Sequence, residues 1–270
     1  MVIYANVFAS ERLTSDNNDP FFLFKRRIAC FMYQHFTATN VLIILCSVTF
    51  LLGMMEPNST ENLALYYWQS PSFQPLQLLS HLFVHGGMMH LFFNMLGLWM
   101  FGRVLEQIWG ATRFLLFYIV CGVGAALVYQ LASYYQLYSA VEPLLVVNIS
   151  FDEVLQLFSR GQYYSQFPSS EQAASIFLSP VVGASGAIYG ILVGFAFLFP
   201  NHKLIFLLLP FPIPAKFFVP ALLSFDIYAS VTGHSVFGAN IAHTAHVGGA
   251  LVGLLLVLSV KKRPRLHRSQ

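Results

Sequence analysis

The sequence predicts an all-α fold, a polytopic membrane protein built as a six-helix transmembrane bundle, and three observations carry that prediction. The first is composition: 57% of the 270 residues are hydrophobic, only 9% are charged, and the mean hydropathy is +0.65. A soluble domain carries roughly a quarter charged residues, so this chain cannot dress a water-facing surface. The second is length. A helix needs about 20 mostly apolar residues to cross hydrocarbon, and such stretches occur at 38–55, 88–104, 113–133, 181–199, 216–232 and 242–260. The third is the placement of positive charge. Six crossings put both ends on one side, and thirteen of the fourteen Lys and Arg residues fall there, with Arg160 the exception. An excess of Lys and Arg marks the cytoplasmic face.

Each element follows in order. Residues 1–37 are expected to be a cytoplasmic segment, with Arg12, Lys25, Arg26 and Arg27 ahead of the first span. Its opening stretch lacks the charged start, apolar run and cleavage site of a removable signal peptide. The membrane domain is expected over 38–260, and 261–270 form a basic cytoplasmic tail. Arg103 and Arg113 flank the turn between spans two and three, and Lys203 and Lys216 the connection between spans four and five. Span five is the least regular: it contains Asp226 and follows the proline-rich LLLPFPIPAKFFVP, which suits a re-entrant or interfacial segment.

Two outer connections are long. That at about 56–87 carries NLALYYWQSPSFQP, whose Trp and Tyr suit the membrane interface. The other is an extracytoplasmic insertion at 134–178, in which SFDEVLQLF predicts a short helix capped by Ser150. The three cysteines, Cys30, Cys46 and Cys121, have unrelated spacings that indicate neither a disulfide framework nor a zinc site. A net charge of +3 gives no reason to expect nucleic acid as a partner.

Polar residues inside spans are costly, and by default they mark function. Three groups stand out: Gly183-Ala184-Ser185-Gly186 opening span four, His243 and His246 opening span six, and His81, His85, His90 and Asn94 around the start of span two. Spans two, four and six all run inward from the outer face, so the three groups share a depth of roughly one to two helical turns.

Ser185 has two compatible readings. Gly186, Gly190 and Gly194, four apart, form a face that lets another helix approach closely. The same approach brings a partner imidazole to Ser185. Gly183 can delay the helix start almost to Ser185, leaving the Ser185 amide among the unpaired first-turn donors that an oxyanion hole uses. In span six, either His243 or His246 is placed to act as base, and Gly248, Gly249 and Gly253 make close packing feasible. No acidic residue is expected at their depth, and Asp226 reads as isolated, so a serine–histidine dyad is the economical arrangement. His90 and Asn94, at i and i+4 on one face, both offer donors to a developing oxyanion. A metal reading of His81, His85 and His90 is disfavoured by the Gly86-Gly87 interruption and the lack of an acidic ligand or an HExxH pattern. No metal or cofactor is expected.

The ordered set HGGMMHLFFNMLGLWMFG, GRVLEQIWG, VGASGAIYG and AHVGGALVG resembles the rhomboid family over roughly residues 75–260. The resemblance implies the rhomboid-type bundle and an intramembrane serine endopeptidase that cuts transmembrane segments of membrane proteins near the extracytoplasmic face. It implies catalytic Ser185 and His246, oxyanion contacts from His90, Asn94 and the Ser185 backbone, and support from Gly183, Gly186 and Tyr189, with Tyr189 packed beside the His246 ring. It also chooses His246 over His243. The sequence departs from the family in two places. Pro75-Leu76-Gln77 stands where a Trp-Arg pair is common, and the connection before Ser185 is longer than in the simplest members. Partners implied are transmembrane protein substrates and the lipid bilayer. Two rivals are a non-catalytic rhomboid-like protein that binds membrane clients and a transporter or channel using the polar cluster. The N-terminus lacks an Arg- and Ser-rich transit pattern, so a bacterial inner membrane is expected.

Overall fold

A computed structural model describes residues 37–206, 209–232 and 243–261. The expected cytoplasmic segment, Cys30 and nearly all of the basic tail lie outside the described residues. Helix α1 (Ala38–Met55) begins where Thr37 accepts a hydrogen bond from the Asn40 amide. Helix α2 runs from Met88 to Trp109 and carries a π-helical turn at Leu98–Gly102. Gly110, at φ 80°, makes the tight turn into α3, which continues unbroken over Ala111–Val146. The expected span at 113–133 is therefore extended by thirteen residues at its outer end, taking the first part of the expected insertion into the helix. Asn148, at φ 65°, ends that run. Asn tolerates this left-handed conformation better than most residues.

Two short helices fill the rest of the insertion. Helix α4 (Phe151–Ser159) has the expected cap, a full capping box between Ser150 and Glu153. Helix α5 (Pro168–Leu178), which the sequence reading did not resolve, starts on Pro168 at a first-turn position where no amide is needed. Helix α6 spans only Ser185–Leu198. The proline-rich stretch supplies β2 (Leu209–Pro214), which pairs antiparallel with β1 (Lys203–Phe206) just before it, a small departure from the all-α expectation. Helices α7 (Ala215–Thr232) and α8 (His243–Lys261) complete the described chain.

All six expected spans coincide with apolar helices. Helices α1, α2, α3 and α7 are long and apolar enough to cross a membrane, while α6 and the described apolar part of α8, His243–Ser259, are shorter. The shortest is the best enclosed. Nearly every residue of α6 from Gly186 to Phe195 is buried, whereas α1 presents Val41, Ile44, Val48 and Leu51 outward. Outward-facing Leu, Ile and Val are the expected surface of a protein whose solvent is lipid. Fourteen residues of helix rise about 21 Å, roughly 9 Å short of a typical hydrocarbon core.

The main core joins α1, α2, α3, α6, α7 and α8 around Leu98, Leu105, Phe114, Tyr118 and Ile191. A second core lies at the end of the bundle, where Leu137, Val141 and Leu144 of α3 meet Val154, Phe158, Phe177 and Tyr67. The long connection before α2 is thus tied to the insertion. Gln130 of α3 reinforces the tie, donating to the Tyr66 carbonyl at 2.7 Å and accepting from the Trp68 amide at 3.1 Å. Gln77 closes the Pro75-Leu76-Gln77 segment. It is fully buried and holds this connection together, donating to the carbonyls of Asn62 and Ser72 at 3.2 and 2.9 Å.

Candidate active site

The site forms where α6 and α8 cross through their glycines. A Cβ added at Gly249 would overlap the Gly186 carbonyl oxygen, and one at Gly253 would lie 2.6 Å from the Gly190 Cα. Small residues let the two backbones touch, and this contact is what brings an imidazole to the start of α6. His246 Nε2 lies 2.8 Å from Ser185 Oγ. Tyr189, one turn after Ser185, stacks on the His246 ring with centroids 4.2 Å apart and planes 11° off parallel.

Ser185 is the first residue of α6, and no side chain caps that helix. The first-turn amides, Ser185's included, therefore have no intrahelical partner. The chain enters through Gly183 at φ 121°, whose amide donates to the His81 carbonyl at 2.9 Å. A Cβ at Gly183 would sit 2.7 Å from His90 Nε2, so glycine is required twice over, for its positive φ and for the approach of the His90 ring. One segment back, Val181 and Leu65 exchange backbone hydrogen bonds of 2.8 and 2.9 Å, fastening the connection before α2 to the strand that leads to Ser185.

On α2, Asn94 is buried and its Nδ2 donates to the His90 carbonyl at 2.8 Å. The His90 ring is half-buried and meets His85 edge-on at 5.1 Å. His81 and His85 precede α2 and are buried. His81 Nδ1 lies 2.9 Å from the Gln77 carbonyl. Burial pushes both imidazoles down to about 4, so both are neutral and His81 donates to that carbonyl.

The structure thus brings Ser185, His246, Tyr189, Gly183, Gly186 and His90 together at one end of the bundle, with Asn94 one turn below His90. It also corrects one expectation. Asp226 is not isolated: its Oδ1 lies 3.0 Å from His246 Nδ1 and 2.6 Å from His243 Nδ1. Among the described residues, this trio is the group whose ligating atoms, within 4.8 Å of one another, match a metal-site spacing. Two clues were present in the sequence. Asp226 is an ionisable residue inside a span, and it lies six residues before Thr232, about 9 Å from the outer end of α7.

Residues 72–263 match the rhomboid domain, most of the chain. The chain belongs to the rhomboid family. Its similarity to individual rhomboid proteins is more distant. It is 26% identical over 195 residues to Rhomboid protein 1, mitochondrial, of Saccharomyces cerevisiae, covering 72% of this chain and 44% of that one. It is 27% identical over 186 residues to the RHOMBOID-like protein 12, mitochondrial, of Arabidopsis thaliana, covering 68% and 46%. With the human Presenilin-associated rhomboid-like protein, mitochondrial, identity is 24% over 204 residues, covering 74% and 42%. The chain spans less than half the length of these relatives. Rhomboid membership and the apolar helices make it an integral membrane protein. The relatives' names point to mitochondria, so the expected bacterial inner membrane finds no support from them.

Proposed function

We propose that the chain is an intramembrane serine endopeptidase that cuts transmembrane segments of membrane proteins near the extracytoplasmic face. The observation that carries this reading is the 2.8 Å approach of His246 Nε2 to Ser185 Oγ, between two helices packed backbone to backbone. A serine hydroxyl is a poor nucleophile until an adjacent base accepts its proton. A substrate helix unwinds near its outer end and presents a carbonyl to Ser185. The hydroxyl proton passes to His246 Nε2 as Oγ attacks. The tetrahedral oxyanion is held by the Ser185 amide together with His90 and Asn94. Each such donor supplies on the order of 3 kcal/mol of transition-state stabilisation. His246 then protonates the leaving amine, and water hydrolyses the acyl-enzyme, with His246 acting again as base.

The reading is tested with the full chain in lipid, using a transmembrane reporter substrate and a fluorophosphonate probe. Ser185→Ala and His246→Ala are expected to abolish cleavage while membrane insertion persists, and Ser185 of the wild type is expected to take the label. A wild-type chain that inserts, neither cuts nor takes the label, and still binds membrane clients is the non-catalytic relative instead.

A further inference from the structure

Asp226 is almost completely buried, at 2% exposure, in a helix apolar enough to lie in lipid. A carboxylate is costly there unless hydrogen-bonded donors surround it. Two imidazoles of α8 donate to it, His243 at 2.6 Å and His246 at 3.0 Å, both through Nδ1 to the same Oδ1, and the Tyr189 hydroxyl also interacts with this carboxylate. An ionised carboxylate only accepts hydrogen bonds, so each ring carries its proton on Nδ1. For His246 this choice is decisive. With the proton on Nδ1, the Nε2 lone pair faces Ser185 Oγ at 2.8 Å. In the other tautomer Nε2 carries a hydrogen and cannot take the serine's proton.

We infer that Asp226 is a positioning residue that fixes the reactive tautomer and orientation of His246, and that His243 is a second donor that holds the Asp226 carboxylate in place. The inference rests on the proposed serine protease. His243 and His246 are three residues apart, on adjoining parts of one helical face. Tyr189 clamps the His246 ring by stacking, so ring plane and ring proton are set by different neighbours. Stacking alone leaves the tautomer free. Asp226 need not take up a proton at any step: the carboxylate stabilises the imidazolium that forms as Ser185 attacks.

The test uses the full chain in lipid nanodiscs with the reporter substrate and the fluorophosphonate probe. Asp226→Asn, whose amide can turn a donor towards His246 and favour the wrong tautomer, is expected to lower kcat by about a hundredfold to ten-thousandfold, with KM unchanged. The labelling rate constant per folded molecule is expected to fall in parallel. His243→Ala is expected to lower kcat less, and His243→Gln, which keeps a donor, to recover most of the loss. A structural role alone would reduce the amount of folded protein and leave the rate per folded molecule intact. An Asp226→Asn enzyme within about threefold of wild type overturns the inference while leaving the protease reading standing. A wild type that never labels or cuts overturns that reading itself. A variant that does not fold is bypassed by 15N-histidine spectra of the wild-type chain, with His246 assigned by its loss in His246→Ala. A protonated Nδ1 and bare Nε2 support the inference, and the reverse pattern refutes it.

Discussion

The contact between α6 and α8 should be the most sensitive structural determinant of activity, and Gly249→Ala tests it. A Cβ at Gly253 would stand 2.6 Å from the Gly190 Cα. Carbon atoms rest about 3.5 Å apart or more, so the helices must separate by about 0.9 Å there. Gly249 is closer still, since its added Cβ falls on the Gly186 carbonyl oxygen. The same parting stretches the 2.8 Å approach of Ser185 and His246 to about 3.7 Å, beyond hydrogen-bond reach. A misplacement of about 1 Å costs on the order of a hundredfold in rate, or about 2.7 kcal/mol of barrier. Overpacking itself costs typically 1–3 kcal/mol of stability, so folded protein should remain to be assayed. The measurement is kcat per fluorophosphonate-titratable site, alongside the thermal midpoint in detergent. Leu255→Ala, at a lipid-facing position of the same helix, is the control, with no loss expected. A folded Gly249→Ala enzyme with wild-type kcat would show that helix proximity does not govern the site.

Glu106→Gln should lower thermal stability without lowering kcat per folded molecule. Glu106 accepts from the Ala38 amide at 2.6 Å, the Thr39 amide at 2.9 Å and the Thr39 hydroxyl at 2.6 Å, and each hydrogen bond to a charged group is worth about 1.5–3 kcal/mol. Acidification should destabilise the fold through His81. Burial holds its imidazole down to about 4 against about 6.5 when unfolded. The unfolded chain therefore binds the extra proton between those values. The contribution, on the order of 3 kcal/mol, is intact above about pH 6.5 and lost as pH falls towards 4. Thermal midpoints across that range should flatten in His81→Gln, and an unchanged slope would assign the acid sensitivity elsewhere. Deleting 140–170 removes α4 and much of the second core around Tyr67, and should alter cleavage rate or substrate choice. Unaltered cleavage would show that the insertion has no influence on access.

Long elements were legible because lipid imposes a simple rule: twenty apolar residues make a helix. The late start of α6 was also legible, since Gly183 interrupts any helix begun at Ser179-Pro180. The missed features are those in which polar groups satisfy one another locally. Helix α3 carries Pro143 and still runs to Val146, because its outer turns pack on α4 and α5 in the second core and are not left in water. The proline-rich stretch could pair as a hairpin because prolines occupy only some positions of a strand edge. Around the site, local spacing served for His90 and Asn94, four apart on one helix. It could not reveal that Asp226 and His246, twenty residues apart, approach within 3.0 Å. That contact depends on how α7 turns about its axis, which neither length nor hydropathy records.

Among the described residues, two carboxylates are buried, Glu106 and Asp226, and their donors separate structure from chemistry. Glu106 takes hydrogen bonds from the first residues of α1, two of them amides of the kind left orphaned at every helix start and the third the Thr39 hydroxyl, donors that never change protonation. Its chemistry ends at holding α1 against α2. Asp226 takes its hydrogen bonds from two imidazoles, the side chain whose charge changes most readily near neutral pH. Any helix terminus, side-chain amide or hydroxyl would satisfy a buried carboxylate equally well, and none would couple it to the 2.8 Å contact with a serine on a third helix. A carboxylate satisfied by groups that can gain and lose protons is placed to influence proton transfer. Burial is common to both residues, so it is the chemistry of the donors that singles out Asp226.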